Sequence, residues 1–188
     1  MSESVPDIQP CRVLLIGMMG SGKTTIGRLL SERTGWPYHD NDDLLRAAAG
    51  RSARELLEHE DLATLRRAEA DALARASRMP APCIAGIAAG VILDPSSREA
   101  LRRTGVVVWL RAEPESLAAR APGGSHRPWL DADPLGWMRA AAAERDPLYA
   151  SVADMSVRTD DRQPGATVIQ ILAWLAATGC LGGGHTAG

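Results

Sequence analysis

Phenylalanine is absent from the 188 residues, so it can wall no pocket in this chain. Cysteine is scarce. The three present, Cys11, Cys83 and Cys180, are odd in number and scattered, which excludes a disulfide framework and the paired spacing of a zinc site. They read as reduced thiols of a cytoplasmic protein, with Cys11 and Cys83 beside apolar runs as packing residues. No apolar run approaches the roughly 20 residues needed to cross a bilayer. Neither sign of charge prevails, with 21 basic and 23 acidic residues and a net charge of −2. That balance argues against a dedicated nucleic-acid or membrane-surface partner. There are no internal repeats. Residues 1–10 are acidic and proline-containing and read as a loose tail rather than a signal peptide, and the glycine-rich residues 179–188 as a second tail. What remains, 11–178, is expected to form one domain, in a chain long enough to bury roughly 70% of its unfolded surface.

What is present starts with Gly17-Met18-Met19-Gly20-Ser21-Gly22-Lys23-Thr24, which fits the phosphate-binding pattern G-x-x-x-x-G-K-[ST]. The flanks supply its required context, an apolar strand run Val13–Ile16 before it and a helical run from Thr25 after it. Gly17, Gly20 and Gly22 let the backbone turn and bring N–H groups to phosphate oxygens, and the new helix adds its positive end. Lys23 is placed to reach the β- and γ-phosphates, and the Thr24 hydroxyl to hold Mg²⁺. The motif therefore predicts a nucleoside triphosphate but leaves the acceptor open.

The remaining chain alternates strands and helices. Strands are expected at about Arg12–Ile16, Trp36–His39, Cys83–Ile87, Val106–Leu110 and Met155–Thr159. Helices are expected from the P-loop to Thr34, over Asp43–Ala49, from a Ser52/Glu55 capping box to His59, and from Asp61 to about Arg78. Further helices should run from Asp94 to about Arg103, from Glu113 to about Ala121, from Asp133 to about Tyr149, and from Pro164 to Thr178. This order predicts an α/β fold, a three-layer αβα sandwich on a five-stranded parallel sheet, with ligands beyond the carboxyl ends of the strands. Residues 121–131, rich in glycine and proline, read as a mobile lid.

Asp40 and Asp42 lie two apart just past a strand. One of the two suits a water-mediated Mg²⁺ contact and the other the acceptor hydroxyl, and the residues alone do not say which. Asp43 reads as a helix cap. Any of Arg66, Arg120, Arg127 and Arg145 could grip a carboxylate or phosphate, and their contexts do not choose among them.

Taken together, Gly17–Arg28, Asp40-x-Asp42, Leu65-Arg66-Arg67-Ala68-Glu69, Val107–Leu110, Arg127-Pro128-Trp129-Leu130 and Glu144–Tyr149 follow one another as in a known family. The chain resembles the shikimate kinases, small P-loop kinases of the nucleoside-monophosphate-kinase type, over roughly residues 11–175. The resemblance implies phosphorylation of shikimate by ATP with Mg²⁺, and the family analogy a monomer. It implies that Gly17, Gly20, Ser21, Gly22, Lys23, Thr24 and Thr25 hold ATP, and that Thr24 and Asp40 serve the metal. Asp42 becomes the residue that binds and activates the acceptor hydroxyl. Arg66 and Arg145 become the carboxylate clamp, Arg127 the lid arginine, and Arg120 and Pro164 the two sides of the adenine.

Two departures stand out. Ala88-Ala89-Gly90 occupies the place of three consecutive glycines near the substrate, where added methyls are expected to crowd the ring or force non-glycine dihedrals. Leu57 and Leu65 stand where the family often has phenylalanine. These changes motivate two alternatives, a paralogue phosphorylating a different hydroxy acid or cyclitol, and a non-catalytic nucleotide-binding relative.

Overall fold

The computed structural model describes residues 11–120, 132–160 and 162–181. Five strands, β1 (Arg12–Ile16), β2 (Tyr38–His39), β3 (Cys83–Gly86), β4 (Val106–Arg111) and β5 (Met155–Arg158), form one sheet in the order β2-β3-β1-β4-β5. Every pairing is parallel, with Arg12 opposite Cys83, Val13 opposite Val106, Tyr38 opposite Ile84 and Val108 opposite Met155. The helices are α1 (Lys23–Thr34), α2 (Asn41–Ala49), α3 (Ala53–His59), α4 (Leu62–Ala76), α5 (Pro95–Thr104), α6 (Pro114–Arg120), α7 (Pro134–Val152) and α8 (Pro164–Ala177).

The layers follow from the period of two along each strand. Val13 and Leu15, with Ile84, Val108 and Leu110, point to one face and meet Ile26 and Leu30 of α1 and Val168, Ile171 and Leu175 of α8. Leu14 and Ile16, with Ala85, Val107 and Trp109, point to the other and meet Leu44 and Leu45 of α2, Leu65 and Leu73 of α4 and Met138 of α7. Both faces of β1 are thus covered, which is why Val13–Ile16 reads as an unbroken apolar run. The expected three-layer αβα sandwich is the observed one. β1 lies between β3 and β4, so the chain leaves it in opposite directions along the sheet. Its carboxyl end is the switch point at which such sheets bind ligands.

Local chemistry sets the helix ends. Ser52 and Glu55 form the expected capping box, and Asp61, Asp94 and Asp133 each accept a backbone N–H at the start of their helices. Gly35 and Gly50 close α1 and α2 in the left-handed conformation. Two expectations are corrected. The cap of α2 is Asp40, not Asp43, which lies in the helix's first turn. The helix expected to end at Tyr149 continues to Val152 with Pro147 inside it. The cysteines, far apart in sequence, meet in space: the Cys83 N–H donates to the Cys11 carbonyl at 3.4 Å and the Cys11 thiol to the Cys180 carbonyl at 3.8 Å. All three are free, and burial first, then a hydrogen bond to Cys180, pushes the Cys11 thiol up to about 12. The expected lid at 121–131, the tail at 1–10 and all but the first residues of the tail at 179–188 lie outside the described residues.

Candidate active site

The P-loop joins β1 to α1 as its pattern requires. Gly17, Gly20 and Gly22 have φ of 140°, 77° and 93°, a region closed to other residues at little cost. The Lys23 ammonium donates to the carbonyls of Gly17 at 2.8 Å and Met18 at 2.9 Å, bridging the loop. No side chain caps α1, so its first amides remain for a phosphate. Ser21 is 1% exposed and its hydroxyl has no partner.

A cleft of about 700 Å³ opens in front of this loop. It brings together Gly20, Ser21, Gly22, Lys23, Thr24 and Thr25 with Asp40, Asp42, Arg66, Ala88, Ala89, Gly90, Arg120, Arg145 and Pro164. Gly17 stands behind them, its carbonyl held by Lys23. Arg127 lies outside the described residues.

Asp40 is fixed from three directions. One carboxylate oxygen accepts the Asp42 N–H at 3.0 Å as the cap of α2, while the other accepts the Thr24 hydroxyl at 2.9 Å and the Tyr38 hydroxyl at 3.0 Å. Because Thr24 donates its proton to Asp40, its oxygen lone pairs are left for a cation. A hydroxyl beside a carboxylate is a hard oxygen set of the kind Mg²⁺ takes with several of its own waters. Tyr38 was not anticipated as a site residue. Its ring occupies a slot where a Cβ on Gly27 would lie 2.2 Å from the ring and one on Gly86 2.8 Å from the hydroxyl. Burial and then the Asp40 charge push this phenol well above its ordinary value, so it stays a donor. Asp42, in the first turn of α2, is exposed in the cleft and accepts from the Asn41 amide at 3.2 Å.

The opposite wall carries the two arginines. Arg66 donates to Glu69 at 2.6 Å, and Glu69 is 7% exposed, so this guanidinium already has its counter-charge. Arg145 differs. It is 8% exposed, its Nε has no hydrogen-bond partner, and the exposed Glu144 carboxylate stands 3.6 Å away. Its other contacts are the Met18 sulfur at 3.9 Å and the Trp137 ring at 5.5 Å. A buried cation with so little compensation is chemically suited to hold an anion. Its position carries a sequence signal that was missed: Arg145 lies on the buried stripe Met138, Ala141, Ala142, Arg145, Tyr149 and Val152 of α7, where an arginine needs a reason.

The alanine loop does not carry the expected strain, because among the described residues none other than glycine has positive φ. Ala88 joins the hydrophobic core and the Ala89 carbonyl accepts the Tyr149 hydroxyl at 3.0 Å. Only the third position is closed to a side chain: a Cβ on Gly90 would lie 1.4 Å from Arg66 Nη1 and 2.3 Å from Glu69 Oε2. Leu57 and Leu65 line the cleft as leucines, and Trp137 adds an indole that was not foreseen as a site residue. At the far end, Arg120 donates to the Thr159 carbonyl at 3.0 Å, which holds it beside Pro164 on the cleft wall.

The family model for shikimate kinase matches residues 19–176. The chain belongs to the shikimate kinase family. Shikimate kinase from Symbiobacterium thermophilum is 46% identical over 170 residues, 89% of this chain and 97% of that one. Shikimate kinase from Thiobacillus denitrificans is 36% identical over 159 residues, 84% and 86% of the two chains. Among solved structures, the Acinetobacter baumannii shikimate kinase in complex with shikimate superposes with a TM-score of 0.84 at 28% identity, covering 91% of this chain and 96% of its own. Membership makes the protein a phosphotransferase acting on a hydroxyl group, with ATP as donor.

Proposed function

We propose that the protein transfers the γ-phosphoryl group of ATP to the 3-hydroxyl of shikimate. The observation that carries this reading is the arginine pair. Glu69 neutralises Arg66, and the buried Arg145 in the same cleft lacks a hydrogen-bonded anion among the described residues, so the cleft that holds Asp42 suits one carboxylate. A carboxylated polyol gripped there turns a hydroxyl toward Asp42 and the P-loop.

The chain's own groups supply most of the chemistry. The P-loop amides and Lys23 hold the phosphates, and Arg120 and Pro164 hold the base between them. The lid arginine, Arg127, is assigned to the transferring phosphoryl group. Asp42 accepts the proton of the attacking hydroxyl, which leaves that oxygen in line with the γ-phosphorus. Arg66 and Arg145 fix the ring so that the reacting atoms meet without further search. Thr24 and Asp40 hold Mg²⁺, which when bound neutralises charge on the β- and γ-phosphate oxygens.

A different acceptor was suggested mainly by the two alanines. Their ordinary backbone, with the Ala88 methyl packed in the core, weakens that motive. We further assign the protein to the cytoplasm as a monomer. The three thiols are free, and Leu62 and Ile169 are the large apolar residues left exposed among those described. Light scattering giving about twice the 20.0 kDa chain mass would overturn the monomer.

The deciding assay is coupled ADP release with Mg-ATP, with and without shikimate. Turnover that depends on shikimate and saturates with it is expected. Steady ADP formation indifferent to shikimate, from protein shown to bind ATP, would reject shikimate as acceptor.

A further inference from the structure

We propose that Trp137 is a positioning residue of the acceptor site, its indole holding the Arg145 guanidinium in the orientation that receives the acceptor's carboxylate. The inference rests on the function proposed above for its substrate, but its physical basis is local. Arg145 leaves the buried face of α7, and its guanidinium carbon stands 5.5 Å from the centre of the Trp137 ring, two turns nearer the helix start. Helical side chains lean toward the N-terminus, and the turn between the two residues presents the short Ala141 and Ala142 on the buried stripe, with Met138 next to Trp137.

The usual means of fixing an arginine is a carboxylate, and the contrast within this cleft is direct. Arg66 has Glu69 at 2.6 Å. Among the described residues Arg145 has no hydrogen-bonded carboxylate: its Nε makes no hydrogen bond, the exposed Glu144 carboxylate stands 3.6 Å from it, and its contact to the Met18 sulfur at 3.9 Å is weak. A second buried carboxylate would fix the guanidinium equally well but would also satisfy it, and a carboxylated ligand would then have to displace it. An aromatic face avoids that conflict. It attracts the cation through the ring quadrupole and leaves the N–H donors in the guanidinium plane available. Trp137 is half-buried, packs against the core and lines the same cleft, so its ring is itself held. Arginine stacked in this way keeps the planar fork that a carboxylate meets with two parallel hydrogen bonds.

The test compares Trp137→Leu, Trp137→Phe and wild type in shikimate-dependent ADP release. Trp137→Leu should raise KM for shikimate about 5- to 30-fold, the range of a partly desolvated cation–π contact. Its kcat should stay within about twofold and its KM for ATP unchanged. Trp137→Phe, which keeps a ring face, should recover most of the loss. An unchanged KM for shikimate in Trp137→Leu, or a loss shared equally by both substrates, overturns the proposal.

A second arm needs no substrate. Thermal unfolding of the ligand-free protein should show Trp137→Leu costing at least about 2 °C more in the wild-type background than in Arg145→Met, because the contact is already gone in the latter. Equal losses in the two backgrounds overturn the proposal as well. If wild type ignores shikimate, the function proposed above falls, and the thermal arm alone judges the indole–guanidinium contact.

Discussion

Returning glycine to positions 88 and 89 should weaken the protein without improving it. Both alanines sit at ordinary backbone angles, so a glycine there relieves no strain and adds freedom to the unfolded chain, about 0.4–1 kcal/mol per site. Ala88 is 7% exposed and its methyl lies in the core, which adds about 0.8 kcal/mol for the lost burial. The double variant is therefore expected to lose about 2–3 kcal/mol, a fall in Tm of about 4–10 °C for a chain of this size. Gly90 is the position whose missing side chain leaves room for Arg66 and Glu69, and it is unchanged in this variant, so kcat/KM for shikimate should stay within about threefold or fall. Calorimetry and the ADP-release assay on the same preparation check both numbers. A tenfold gain in kcat/KM, or an unchanged Tm, would refute the reasoning and show that the methyls obstruct the acceptor.

Three further outcomes are expected. Asp42→Asn should leave Tm and ATP affinity near wild type and lower kcat by about 10²-fold or more, since the asparagine cannot take the hydroxyl proton; surviving activity would remove Asp42 from that role. Gly27→Ala places a Cβ 2.2 Å from the Tyr38 ring, so the overpacking should cost about 1–3 kcal/mol in thermal melts and raise KM for Mg-ATP as Asp40 loses its phenol donor, whereas Gly165→Ala, with open space around it, should be near neutral. Asp94 is lowered to about 2 by hydrogen bonds from Ser96 and Ser97 at the start of α5. Its folded value lies below its unfolded one, so its contribution is complete above about pH 4 and is lost as pH falls through about 2. Asp94→Asn should keep the cap at pH 7 and flatten that part of the acid limb, and an unaltered acid profile would contradict the assignment.

Much of this architecture was written locally. The P-loop, the Ser52/Glu55 box and the closing glycines at 35 and 50 each act within a few residues, so their elements appear where the pattern puts them. The site is less legible where it depends on three elements at once. The Tyr38 slot requires Gly27 from α1 and Gly86 from β3 to leave room together, and no spacing in the chain encodes that meeting. Glu69 looks like an ordinary helical i+3 partner of Arg66 until its burial is known. The worry over Ala88 and Ala89 came from residue type alone, whereas φ decides whether glycine is needed, and here only Gly90 is needed, for space. Asp40 shows the reverse case, since the cap was read at Asp43 and the metal carboxylate at Asp40 or Asp42, and the Asp40 carboxylate both caps α2 and accepts the Thr24 hydroxyl.

The central place of β1 has a consequence for how the chain must be made. Its two neighbours are β3, beginning at Cys83, and β4, beginning at Val106, so neither edge of this apolar strand can be covered until β3 has been synthesised, and both edges not until β4 has been. Until then the first sticky segment to leave the ribosome waits unpaired, in a topology whose long-range pairings form slowly. Truncations ending before residue 111 should therefore precipitate rather than bind nucleotide, although they contain the entire P-loop. Newly made chains should draw on chaperones early and be released from them once β4 has emerged.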